Sequence, residues 1–307
     1  MSEPMKYELP EELTVTAEGA VRIVTINRPA ELNAVNLPLH WAFANVWRQL
    51  STDQEAKVVI LTGAGRAFSA GGDLEWITTF LDDPVARDES LREGAAIIEE
   101  LLRFPLPVIA AVNGPAVGLG CSIAVLCDIL LISERAFLAD PHVSVGLVAG
   151  DGGAAFWPLL TPVLRSREYL FTGDRIPAAM AVELGLASRL VPPGELLAQA
   201  RQLAQRLAAQ PAAALRGTKR VANMYLSQAL ASFYGSGSEA ALDAYSGRAL
   251  ARVWKAERFS WWFTNLMHRF PDTDAFTRKM QIAELDYLRH SKAGAAAMAE
   301  NYVGLPF

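Results

Sequence analysis

The chain has 307 residues and a formal net charge of −5, with 51% hydrophobic and 20% charged residues. This length can build one large domain or two small ones around a sizeable core. Its longest apolar runs fall short of the roughly 18 residues that cross a bilayer, so no membrane partner is expected. An acidic balance without a basic cluster argues against nucleic acid as well, because phosphate neutralisation needs grouped Lys and Arg.

Met1 to Glu12 is polar and acidic, with neither the apolar region of a secretory signal nor an Arg-rich transit helix, and the expected address is cytoplasmic. Alternating runs at Leu13 to Ala17 and Val21 to Ile26, separated by Glu18-Gly19-Ala20, predict a β-hairpin. Asn36 reads as a helix cap with Pro38 in the first turn, and Leu39, Phe43, Val46, Trp47 and Leu50 give the helix one apolar stripe. Lys57 to Thr62 predicts a strand buried on both faces.

A Gly-rich loop from Gly63 to Asp73 follows, then a charged, irregular stretch from Leu81 to Arg92 that reads as a candidate lid. Beyond it come a helix carrying Ile97, Ile98, Leu101 and Leu102, a strand at Val108 to Val112, and a turn at Asn113-Gly114-Pro115. An apolar helix near Leu119 to Cys127 and a strand at Ile129 to Ser133 complete the pattern. Strand and helix alternate, which predicts an α/β core.

After Gly153 the pattern is helical, near Pro158 to Thr172, Pro177 to Leu184, Gly194 to Ala208 and Pro211 to Phe233, and again near Asp274 to Arg289. The expected organisation is a core over 1–205 and a helical C-terminal region over 206–307. Within the latter, Trp254, Phe259, Trp261, Trp262 and Phe263 crowd aromatic area that must pack in the core, against another subunit, or as a pocket wall. Cys121 and Cys127 read as buried, reduced thiols rather than as a disulfide or a zinc site, and no metal is expected. His40, His268 and His290 lack ligand spacing and are given no role.

Two glycine clusters carry the candidate chemistry. Gly63 to Leu74 (GAGRAFSAGGDL) follows a buried strand but has neither the Gly-Lys-Ser/Thr of a P-loop nor a helix-opening GxGxxG. Asn113 to Cys121 (NGPAVGLGC) follows the next strand and opens an apolar helix, whose first amides lack intrahelical acceptors. Together the loops could aim two N–H donors at one oxyanion, or their glycines could serve close helix–sheet packing.

The motifs Asn27-Arg28-Pro29, Leu32-Asn33-Ala34, Ala67 to Leu74, Pro107 to Gly114, Gly118-Leu119-Gly120 and Cys127-Asp128-Ile129, with Phe171-Thr172-Gly173 and Ala181 to Ala187, resemble the crotonase (enoyl-CoA hydratase/isomerase) superfamily in order and spacing. The resemblance runs to about Phe233. It implies a spiral core of ββα units with a helical C-terminal layer, and an oxyanion hole formed by the N–H groups of Ala70 and Leu119. Substrate would bind along Ala70, Gly71, Gly72, Asp73, Gly118 and Ser122. Coenzyme A would arrive as part of an acyl thioester, with no permanently bound cofactor, and the assembly would be a homotrimer or homohexamer. Arg28 and Arg66 lie on the implied CoA path, where each is either a phosphate contact or a solvated surface group.

In hydratases of this family two glutamates hold the attacking water, and the matching positions here are Ser122 and His142. Asp151 stands nine residues on, and the segment from Pro141 to Gly152 is similar to 6-oxocamphor hydrolase, a relative that cleaves a carbon–carbon bond in a cyclic β-diketone. The resemblance thus implies a catalytic His142/Asp151 pair in place of the glutamates. The residues by themselves also allow His142 to end a turn and Asp151 to cap the next helix. The functions in view are a lyase or isomerase acting on an acyl-CoA, a retro-Claisen hydrolase acting on a β-dicarbonyl, and a CoA-binding protein without catalysis.

Overall fold

The computed structural model describes residues 5–223, 262, 266–267 and 274–296. Contacts group the chain into two units, Met1–Leu242 and Asp243–Phe307. In the second, the described part is chiefly a helix, Ala275–His290, which Asp274 caps by accepting the Thr277 N–H at 2.6 Å. Trp254, Phe259, Trp261, Phe263 and His268 fall outside the described residues. Among the described residues no helix is long and apolar enough to cross a membrane.

The first unit is an α/β fold. Its main sheet runs β1 (Leu13–Glu18), β2 (Val21–Ile26), β3 (Val58–Gly63), β4 (Val108–Val112), β6 (Ile129–Ser133) and β9 (Arg189–Val191). The β1–β2 pair is the predicted antiparallel hairpin, and every later neighbour is parallel. A small second sheet joins β5 (Ala116–Val117), β7 (Phe137–Ala139) and β8 (Ile176–Pro177). Strands of two or three residues are too short to show a period, which is why the sequence gives no sign of β5, β7, β8 or β9.

The continuous apolar runs of β3 and β4 reflect burial on both faces. Val59 and Leu61, with Val108, Ala110 and Val112, face a core shared with α1 (Leu37–Thr52), α3 (Pro84–Arg103) and α4 (Leu119–Leu126). Their alternates Val58, Ile60, Ile109 and Ala111 face Leu196, Ala200, Leu203 and Ala204 of α8 (Leu196–Ala208). Asn36 caps α1 as predicted, accepting the Leu39 N–H at 3.1 Å.

Two expectations change. The stretch from Leu81 to Arg92 is mostly helix rather than irregular: α2 (Leu74–Thr78) and a single 3-10 turn lead into Asp83, which caps α3 through the Val85 and Ala86 amides. The helix expected from Pro158 is two, α5 (Gly153–Leu160) and α6 (Val163–Thr172). Pro162 divides them, because the residue before a proline avoids the helical region and Thr161 accordingly sits at φ −139°, ψ 161°. Then follow α7 (Ala178–Glu183), α8 and helical residues 212–223.

Candidate active site

Parallel pairing of β3 with β4 brings both glycine loops to neighbouring carboxyl ends, where ligands bind in open α/β sheets. The loops are stitched together: Phe68 N–H donates to the Pro115 carbonyl at 3.0 Å and Val117 N–H to the Ser69 carbonyl at 2.9 Å. Gly71, with φ +88°, lies so close to the second loop that a Cβ there would be 2.9 Å from the Val117 carbonyl oxygen.

Ala70 cannot serve as the first oxyanion donor, because its N–H already donates to the Leu32 carbonyl at 3.0 Å. The Gly71 N–H faces Ser69 Oγ at 3.3 Å. Around the parallel bridge between Val35 and Gly72, the Gly71 carbonyl and Asp73 amide turn towards Val35, so the Gly72 amide faces the other way. Gly72 and Leu119 both line one cavity of about 830 Å³, and among the described residues neither N–H has an acceptor. Leu119 is the first residue of α4, whose opening amide has no partner within the helix.

The chain leaves β7 at Ala139 and turns through Asp140-Pro141 into a 3-10 turn, His142–Val145. This places the imidazole between two carboxylates. Its Nδ1 makes a short contact with Asp140 Oδ1, and its Nε2 lies 3.3 Å from Asp151 Oδ2. Ser122 Oγ donates to Asp151 Oδ1 at 3.1 Å. His142 Cε1 stands 3.5 Å from where a Cβ would be on Gly118, immediately before Leu119.

The predicted residues His142, Asp151, Ser122, Gly118 and Leu119 are therefore brought together, and Asp151 does not cap the next helix, whose cap position is Gly152. Burial opposes charge on the His142 ring, but the hydrogen bonds to Asp140 and then to Asp151 outweigh it and raise its pKa to about 10. The ring is an imidazolium at neutral pH.

Asp140 had no role in the sequence reading, although it sits two residues before the histidine. It is 1% exposed, and its Oδ2 has no hydrogen-bond partner among the described residues. That oxygen packs on the start of α5, where a Cβ on Gly153 would be 1.7 Å away, so the helix's partial positive end faces the carboxylate. As for a metal, Asp140, His142 and Asp151 place ligand atoms within 4.8 Å of one another, but both ring nitrogens already face carboxylates. Only Nε2 and Asp151 border the open cavity, short of the three protein ligands of a catalytic zinc site.

Other expected residues serve the frame. Arg28 donates to the Ala34 carbonyl at 2.5 Å and pairs with Asp73 at 3.2 Å, while Asp73 Oδ1 caps α2; both are structural, and Asp73 does not line the cavity. Arg66 is exposed. Cys121 and Cys127 are free and buried, and burial pushes both thiols up. His40, given no role from sequence, lines the cavity and meets Glu93 through its Nδ1.

Two open backbone amides and an imidazolium that line one cavity, beside the carboxyl ends of parallel strands, are the kinds of donor from which oxyanion holes are built. The Enoyl-CoA hydratase/isomerase family matches residues 16–238, and the chain belongs to that family. It is 35% identical over 207 residues to a short-chain-enoyl-CoA hydratase of Clostridium acetobutylicum, covering 67% of this chain and 78% of that one. An enoyl-CoA hydratase/isomerase structure from Mycobacterium paratuberculosis aligns with TM-score 0.71 and 47% identity over 75% of this chain and 90% of its own. A monofunctional enoyl CoA isomerase from M. smegmatis aligns with TM-score 0.61 and 30% identity, over 71% and 94%. The fold is the α/β crotonase fold expected from the motifs.

Proposed function

We propose that the protein hydrates or isomerises an acyl-CoA thioester through an enolate, with the thioester oxygen held by the N–H groups of Gly72 and Leu119. Each such donor is worth about 2.7 to 4 kcal/mol in the transition state. The observation that carries this reading is the ion pair of His142 with Asp151 beside the two open amides. It supplies an acid and a base in one place. In hydration, Asp151 takes a proton from water as the oxygen adds to the β-carbon, and His142 Nε2 gives its proton to the α-carbon. A proton passing from Asp151 to Nε2 restores the starting state, so no cofactor is consumed. In isomerisation the same pair removes and returns a carbon-bound proton. Ser122 orients Asp151, and Asp140 is a positioning residue that holds the ring.

The retro-Claisen reading asks His142 to act as a base towards water. A ring kept charged by two carboxylates is poorly suited to that, and the relatives named above are hydratases and isomerases, so this reading has less support. The test is deuterium exchange at the α-carbon of an acyl-CoA in heavy water, alongside loss of the crotonyl-CoA chromophore and of a cyclic β-diketone. The expected result is exchange and turnover of the thioester, abolished in His142→Ala. Turnover of the diketone alone overturns the proposal, and acyl-CoA binding without exchange points to a non-catalytic CoA-binding protein.

We also propose self-association as a homotrimer or homohexamer. Leu164 and Phe171 of α6 are 79% and 73% exposed and Val148 is 82% exposed, apolar area that self-association would cover. Light scattering of wild type against Leu164→Glu tests this, with dissociation expected in the variant.

A further inference from the structure

The cavity holds a second histidine–carboxylate pair that the chemistry above does not use. His40 on α1 is 4% exposed, and its Nδ1 contacts Glu93 on α3. Its Nε2 has no partner among the described residues and is not sealed off, and the residue lines the cavity. The Trp76 ring stands 5.1 Å from the imidazole, and Phe80 stands 5.1 Å beyond Trp76.

Close approaches order the cavity wall. His142 lies against Gly118, Gly118 against Gly71, and the next residue, Gly72, so near Ile77 that a Cβ would meet its Cδ1 at 2.5 Å. Ile77 follows Trp76, whose ring packs on His40. His142 thus adjoins the glycine loops at Gly118, and His40 adjoins them through Trp76 and Ile77. The cavity lining also includes Phe80 and Leu91, and Arg87, which is already paired to Asp88 at 3.4 Å. Apolar walls suit the acyl chain rather than a nucleotide.

A carboxylate offers only lone pairs, so Glu93 keeps a ring proton on Nδ1. Nε2 then accepts when the ring is neutral and donates when it is charged. A hydroxyl satisfies either state, whereas a plain hydrocarbon leaves a buried polar atom unpaired, which is costly. We infer that His40, oriented by Glu93, recognises a hydroxyl group towards the far end of the acyl chain, making hydroxylated acyl thioesters the preferred substrates. The inference rests on the acyl-CoA reading above.

The experiment compares a medium-chain α,β-unsaturated acyl-CoA with its ω-hydroxy counterpart, in wild type, His40→Phe and His40→Leu. Wild type is expected to favour the hydroxylated compound by about tenfold in kcat/KM, the ordinary worth of one hydrogen bond. In both variants the ratio should fall to about one, with the loss carried by KM. A wild type that treats the two compounds alike, or folded variants that keep the preference, overturns the inference. Should His40→Phe fail to fold, His40→Leu decides, since it also removes the ring nitrogens with a smaller side chain. Calorimetric binding of the saturated acyl-CoA pair separates the two proposals. If neither substrate turns over but the hydroxylated ligand binds tighter and loses that advantage in the variants, the lyase reading fails and His40 recognition stands; equal binding overturns the inference.

Discussion

The cavity's two histidines are set into the molecule in different ways. His142 is held by neighbours in sequence: Asp140 lies two residues before it, Asp151 nine after, and the segment that carries all three follows the end of β7. His40 is held across the tertiary structure, by a glutamate 53 residues away on another helix. The first has carboxylates on both ring nitrogens; the second has one and leaves Nε2 open. The difference teaches that a ring flanked by two anions is held protonated near neutral pH and can pass that proton on, whereas a ring with one open nitrogen is suited to recognition.

The sharpest way to break that contrast is at the saturated ring. Asp151→Asn and His142→Phe should each lower kcat by about 10² to 10⁴, the usual worth of a positioned acid or base, as read by loss of the enoyl chromophore. The same changes should leave the circular dichroism spectrum of the fold in place.

Next in size is Gly153→Ala, which drives a methyl group into Asp140 Oδ2 and should cost about 1 to 3 kcal/mol of stability through overpacking, measurable by denaturant titration. Asp140→Asn removes one of the anions that raise the His142 pKa, so the alkaline limb of the rate profile should move to lower pH. Its effect on stability has a defined sign. The ring's pKa is about 10 when folded, against an ordinary 6.5, so its ion pairs stabilise fully below 6.5, and that contribution is lost as pH rises through about 10. Wild type should therefore lose more thermal stability across that interval than Asp140→Asn does. The smallest effect belongs to the open ring, where His40→Phe should alter substrate preference by about tenfold.

What the sequence made legible follows the same division. The order of β1 to β4, the α1 cap at Asn36 and the apolar α4 follow from local period and turn chemistry, whereas the pairing of His142 with Asp151 comes from the resemblance of their segment and not from spacing alone. Asp140 was within reach, since a carboxylate two residues before a histidine, separated by a proline, signals a turn that can fold back on the ring. His40 with Glu93 had no such signal, because their pairing depends on how α1 packs against α3. The amide expected as the first oxyanion donor, that of Ala70, is occupied, and the open one lies two residues on. The left-handed Gly71 breaks the alternation of amide directions in the loop, and only hydrogen-bond accounting shows that the Ala70 N–H is spent on Leu32 while that of Gly72 is open.

The Asp73 carboxylate, finally, answers to two masters. One oxygen caps the helix that bears Trp76 and Ile77, and the other is gripped by Arg28, itself anchored on the Ala34 carbonyl. The open Gly72 amide and the apolar cavity wall at Trp76 and Ile77 are thereby mechanically one piece. On the proposed reading, a lineage adapting this scaffold to longer or bulkier chains by moving α2 would drag the oxyanion donor with it. Chain length and turnover could then be tuned separately only once that latch is released, and Arg28→Ala or Asp73→Asn is where such tuning would have to begin.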